Sequence, residues 1–179
     1  MPTTREVLAT TIALEQESMS LYAQLSRIFE GNAEIRDFWF GMARDEARHV
    51  GALHLVTTVL EIEGKLDKPS PISLENDTIL KLKELLARAH REAVSALPLE
   101  RALAMALEVE ETELEDLVAD LLKALQTPDE YERCMRLLVH DLGELSYMIE
   151  RHCQDSELLP RCDALVNRHA EALRHWAAS

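Results

Sequence analysis

Four runs of the chain, about residues 4–30, 33–64, 98–126 and 128–154, place apolar residues at alternating steps of four and three, and each run carries acid inside its apolar stripe. Those steps trace one face of an α-helix, because residues three and four apart stack above one another. Glycine supplies only 5 of the 179 residues, about 3% where roughly 7% is usual, and aromatic residues only 4%. The turns and strand formers that a sheet needs are therefore scarce, and the expected class is all-α.

The breaks between runs carry helix-end chemistry. Thr3 with Glu6 three residues later forms a capping box, and Gly31 follows the first run. Asn32 can cap the second run, which continues through the isolated Gly41 and Gly51 to Gly64. About two residues join these helices, so they are antiparallel neighbours. Lys65 to Ser73 holds Pro69 and Pro71 and has no period, while Thr78 to Ala96 is a weaker amphipathic helix. Together, about residues 65–97 make one long crossover. Pro98 suits the first position of the third long helix, and Thr127, Pro128 and Glu130 mark the start of the fourth. Each long helix spans roughly 40 to 48 Å at about 1.5 Å per residue. Short link, long link, short link is the connectivity of an antiparallel four-helix bundle with one crossover, the ferritin-like arrangement. The expected organisation is a bundle over residues 1–155 and an additional C-terminal helix over 156–179, which could cover a dimer surface.

The acids within the stripes ask for an explanation. Helix one runs Leu8, Ile12, Glu15, Met19, Tyr22, Ser26, Phe29, and helix two runs Ile35, Trp39, Met42, Glu46, His49, Leu53, Val56, Leu60. Helix three offers Leu99, Leu103, Ala106, Glu110, Glu113, Leu117, Leu121, and helix four offers Cys134, Leu137, Asp141, Glu144, Met148. An unpaired carboxylate in a low-dielectric interior costs several kcal/mol. No lysine or arginine occupies these stripes, and Arg44, Arg48 and Arg133 fall on other faces by the same periodicity. A bound dication is the simplest remaining counter-charge. Oxygen ligands with an imidazole suit iron or manganese, and bundles build such centres from facing helices. The separations agree as well: Glu15 to Glu46 and Glu110 to Asp141 are both 31 residues. A shift of 95 residues relates the two halves, with the matches clustered at core and acid positions.

The pattern resembles the rubrerythrin branch of the ferritin-like family over about residues 4–154. In that family a helix-one glutamate stands seven residues before a tyrosine, as Glu15 does before Tyr22. Its second helix carries Glu-x-x-His, matched by Glu46 and His49, and its third carries Glu-x-x-Glu, matched by Glu110 and Glu113. The fourth departs: the family has a second Glu-x-x-His where this chain has Asp141 and Glu144, with His140 and Tyr147 as substitute ligands nearby. The resemblance implies two iron ions, with manganese or zinc as alternatives, held by Glu15, Glu46, His49, Glu110, Glu113, Asp141 and Glu144. It implies a non-haem oxidoreductase that reduces peroxide or dioxygen or oxidises ferrous iron, in which Tyr22 orients Glu15 through its hydroxyl. The family's four-cysteine rubredoxin module has no counterpart, so a separate electron donor is expected. The alternative is a binding or structural bundle whose metal site is degenerate, mononuclear or empty.

Other classes are disfavoured. A net charge of −14 repels a phosphate backbone or an anionic bilayer, so neither nucleic acid nor membrane is expected as a partner. The absence of an apolar leader or span leads to the expectation of a cytoplasmic, homodimeric protein. Cys134, Cys153 and Cys162 form no C-x-x-C pair and are expected to be reduced. His54, His90, His169 and His175 are assigned to surfaces.

Overall fold

The structure is a computed structural model that describes residues 1–70, 72–94, 96–112, 128–155 and 157–177, the side chains of 128–131, 134, 176 and 177 aside. All its regular elements among these residues are helices: α1 (Thr4–Ile28), α2 (Ala33–Ile62), α3 (Asp77–Glu92), α4 (Leu99–Glu110), α5 (Pro128–His152) and α6 (Leu158–Ala177). None is long and apolar enough to cross a membrane.

Local chemistry explains the first two helices. The Thr3 backbone N–H donates to Glu6 at 2.8 Å, and the Glu6 N–H donates to the Thr3 hydroxyl at 3.3 Å. These exchanged bonds satisfy two of the donors that a helix start leaves orphaned. The next two find partners in the segment after α2: Thr4 N–H donates to Lys68 O and Arg5 N–H to Leu66 O, each at 2.9 Å. The start of α1 is thereby tied to the end of α2, with Arg5 against Asp67 at 2.8 Å. Asn32 caps α2 by accepting from Glu34 and Ile35. At the other end Gly64 takes φ +65°, and Lys65 N–H donates back to Leu60 O at 2.9 Å. A side chain would strain that left-handed position, so glycine is the residue that stops α2 there.

The α1–α2 pair is the most extensively packed in the molecule, followed by α5–α6; α4 lies against α5, and α5 against α2. Chain ends fix the directions. Arg5 approaches Glu61, Glu100 accepts from the backbone at Gln154 and Asp155, and Ser146 donates to Asp163. Thus α1/α2, α4/α5 and α5/α6 are antiparallel. The crossover helix α3 buries Ile79, Leu82, Leu85, Leu86 and Ala89, and Gln24 on α1 donates to Ala93 O at 2.6 Å to pin its end.

Buried apolar residues from all six helices form one core cluster. On α1 and α2 the buried positions include the expected stripes, with Met19 and Phe29 partly buried. The third long helix differs from expectation. Helix α4 ends at Glu110 with Glu111 as its cap, and Thr112 turns back by donating both its N–H and its hydroxyl to Val109 O. The expected continuation to Gln126 lies from Glu113 onward outside the described residues. Helix α6 packs against α5 and α4 of its own chain, burying Leu158, Cys162 and Leu165.

Candidate metal centre

The α1–α2 seam brings together Glu15, Glu46 and His49, whose ligand atoms all lie within 4.8 Å of one another. Glu15 is 1% exposed, and Glu46 and His49 are 5% exposed. The apolar stripes carry them inside: Leu8, Ile12 and Tyr22 flank Glu15 on α1, and the stripe that buries Trp39, Met42 and Leu53 on α2 passes through positions 46 and 49. His49 Nδ1 sits 3.2 Å from Glu46 Oε2 and 3.8 Å from Glu15 Oε2. Its other nitrogen, Nε2, and Glu15 Oε1 are buried with no hydrogen-bond partner among the described residues. Buried polar atoms are normally satisfied, so these two, which unlike the equally unpartnered Trp39 Nε1 and His152 Nε2 belong to one convergent donor group, have room for a ligand.

Helix α4 contributes Glu110 and α5 contributes Asp141, both buried. The Tyr22 hydroxyl donates to Glu110 Oε1 at 2.6 Å, tying α1 to α4 across the core. Tyr22 was expected to orient Glu15; its proton goes instead to the carboxylate on the opposite helix. The aromatic packing places it there, since Tyr22 stacks on Trp39 with centroids 6.0 Å apart.

The acids act on one another. Burial, and then the charge of Glu15, push the Glu46 carboxyl up to about 8. Burial and the charge of Glu46 raise Glu110 to about 7, with the Tyr22 bond holding it down. Burial, Asp45 and Glu110 raise Asp141 to about 8, with His49 acting in the other direction. For His49 burial disfavours the imidazolium, but its bonds to Glu15 and Glu46 outweigh that and lift it well above its usual range. Without a bound metal ion, the group is accommodated by a charged His49 and by protons kept on carboxylates that would otherwise be ionised.

Of the seven residues expected as ligands, Glu15, Glu46, His49, Glu110 and Asp141 are buried and electrostatically linked. Glu144 is exposed and borders a cavity next to Asp141. Glu113 lies outside the described residues. One acid was missed: Asp45 is 4% exposed and forms a second convergent group with His140 and Asp141, again within 4.8 Å. The signal for it was present, because position 45 lies three residues after Met42 and four before His49, steps as good as those of Glu46. Arg48 and Arg44 contact Asp45, the latter at 3.7 Å, so these arginines serve an acid beside the stripes. His169, assigned to the surface, is 2% exposed on α6.

On its α2–α5 side the centre meets a cavity of about 300 Å³ lined by Asp45, His140, Asp141 and Glu144 together with Met42 and Met148, among others. Small polar molecules could reach Asp141 from there. No family model matches the sequence, and no curated protein or solved structure matches the chain. The chemistry open to the site follows from its own residues.

Proposed function

We propose that this chain is a ferritin-like, rubrerythrin-like carboxylate protein that binds a pair of transition-metal ions, iron first among them, and works as a non-haem oxidoreductase on peroxide, dioxygen or ferrous iron. The observation that carries the reading is the buried Glu15, Glu46 and His49 group, with Glu15 Oε1 and His49 Nε2 unpartnered and Glu110 and Asp141 beside it. The donor set fits. Carboxylate oxygens and an imidazole are the ligands that ferrous and manganous ions favour, and their combined negative charge needs a divalent partner.

Glu15, Glu46 and His49 would hold one ion, and Glu110 and Asp141 are the further buried carboxylates, electrostatically linked to them, that would supply oxygen ligands to the pair. Two ferrous ions, when bound, supply two electrons, the number needed to reduce one hydrogen peroxide to two waters. The protein's own part is proton traffic and exclusion of water. Glu46, Glu110 and Asp141 release protons as metal binds, because ligands must be ionised. Tyr22 keeps Glu110 oriented through its 2.6 Å hydrogen bond. The cavity beside Asp141 gives a small oxidant a route from solvent, whereas the α1–α2 side is closed by packed side chains. Regeneration would fall to a separate donor, since three cysteines are too few for a four-cysteine iron site.

Exposure of Glu144, one of the acids expected to complete the second position, favours a second reading, a site holding one ion. The test is metal per chain by elemental analysis after anaerobic loading with ferrous iron, with Glu46→Ala as control. Two irons in the parent, a clear loss in the variant and peroxide-dependent oxidation of the bound iron support the oxidoreductase. One ion supports the mononuclear alternative, and none returns the chain to a structural or binding bundle.

A further inference from the structure

Asp45 and Glu46 are consecutive residues of α2, and both are buried. Consecutive side chains on a helix diverge by about 100°. Glu46 turns toward α1, to Glu15 and His49, while Asp45 turns toward α5, to His140 and Asp141. Each acid meets a carboxylate and an imidazole. His140 Nδ1 lies 3.2 Å from Asp141 Oδ1, and the ligand atoms of Asp45, His140 and Asp141 all fall within 4.8 Å of one another.

We propose that Asp45, His140 and Asp141 form a distinct, solvent-reached position for a divalent transition-metal ion, beside the closed Glu15, Glu46 and His49 position. The proposal rests on the metal-binding reading above and assigns its second ion to residues other than Glu144. Three features distinguish this group from an ordinary ion pair. Two carboxylates and an imidazole converge on one point, a donor set suited to manganous, ferrous or zinc ions. The point borders a cavity of about 300 Å³ through which an ion can arrive, with His140 exposed at its wall. Asp45 and Asp141 are themselves buried, 4% and 7% exposed, so the two carboxylates are held at the inner end of that cavity and not on open surface.

The arginines fit the same picture. Arg48 and Arg44 contact Asp45 from outside, with side chains about half exposed, and lie free to swing into water. They neutralise Asp45 when no ion is bound, and an arriving cation displaces them. Glu15, Glu46 and His49 are enclosed, whereas His140 is exposed at the cavity wall. The two positions should therefore differ in exchange: the closed one slow, the open one fast and displaceable by a chelator.

The experiment is anaerobic titration of the full-length, metal-free chain with cobalt(II) alone, counting ions after dialysis and following the paramagnetically shifted imidazole N–H resonances by NMR. The variants are Asp45→Asn, His140→Ala and Glu46→Ala, each checked for helix content. The expected result is two cobalt ions in the parent, one in Asp45→Asn and in His140→Ala, and loss of one shifted resonance in His140→Ala. Two ions in both of those variants, with Glu46→Ala reduced, overturn the proposal and leave the metal-binding reading standing. A parent that binds one ion, lost in Glu46→Ala, also overturns it while sparing the closed site. A parent that binds none sinks both together.

Discussion

Two halves of the molecule carry acids at the same separation of 31 residues and treat the next helical turn in opposite ways. On α2, Glu46 is followed at three residues by His49, and both are inside. On α5, Asp141 is followed at the same step by Glu144, which is exposed. The cause is visible in packing. Helix α5 is covered on one side by α6, and its buried apolar positions are Met135, Leu138, Leu142, Leu145 and Ile149, with Met148 at their flank. The stripe expected from spacing was Cys134, Leu137, Asp141, Glu144 and Met148, one residue out of phase. Leu142, whose carbonyl accepts from the Cys162 thiol at 3.6 Å, faces α6. The added helix thus turns α5, leaving Asp141 at the margin of the core and Glu144 outside. Spacing places an acid on a helix; the neighbours of that helix decide which acids are buried.

The comparison is broken most forcefully in the aromatic packing of the α1–α2 half. Trp39 is fully buried, with Tyr22, Phe29 and Phe38 at centroid distances of 6.0, 6.5 and 4.7 Å. Trp39→Ala should cost about 3–5 kcal/mol in denaturant unfolding and loosen Tyr22. A loss below about 1 kcal/mol would mean that this half is not the rigid one.

Titration gives the next largest effect. Folded and metal-free, Glu46 and Asp141 keep their protons up to about pH 8 and Glu110 up to about pH 7. In the unfolded chain those protons leave near 4.5 for the glutamates and 3.8 for the aspartate. Between these limits the folded state binds more protons, so stability falls as pH rises. His49 adds to the same slope: its raised value gives stability at low pH that is lost as pH climbs through it. The metal-free chain should melt higher at pH 5.5 than at pH 8.5 by more than about 5 °C. Metal loading should reverse the slope, since ions replace the protons. A melting temperature that rises with pH without metal would contradict the buried, proton-bearing cluster.

Much of this architecture was legible because helix ends have local causes. The Thr3–Glu6 box, the Asn32 cap and the left-handed Gly64 each act within a few residues, so the α1 and α2 boundaries followed from the chain itself. Glu15, Glu46 and His49 were legible for a related reason, since a polar residue inside an apolar period must be buried with its neighbours. Asp45 escaped because a stripe counted at one residue per turn admits only one of two adjacent positions, although a helix in contact on two sides buries both. His169 was misplaced on the same ground: α6 packs on α5 and α4, which periodicity alone cannot show. The end of α4 at Glu110 had no glycine or proline to announce it. The Tyr22 partner depended on which helix stands opposite, a tertiary fact.

A smaller effect sharpens the contrast at the link between the halves. Tyr22→Phe removes the donor to Glu110 Oε1 and should cost about 1–3 kcal/mol, the range for a buried acceptor losing its partner. Because the bond holds Glu110 down, the variant should also titrate Glu110 above its present value of about 7, read by carbon NMR of the carboxyl. An unchanged titration would show that Tyr22 only fills space.

The smallest expected effect tests the comparison at its origin. Glu144 sits one turn beyond Asp141 on α5, where Glu46 and His49 stand in relation to each other on α2, yet its side chain reaches solvent. Glu144→Gln should therefore shift stability by no more than about 0.5 kcal/mol, as exposed substitutions do. Metal content should match the parent's, whereas Asp141→Asn should lose metal. If Glu144→Gln instead loses as much metal as Glu46→Ala, α5 must turn on loading so that Glu144 moves inward. The two halves would then differ only while empty, and the packing of α6 on α5 would have to yield as the ion binds.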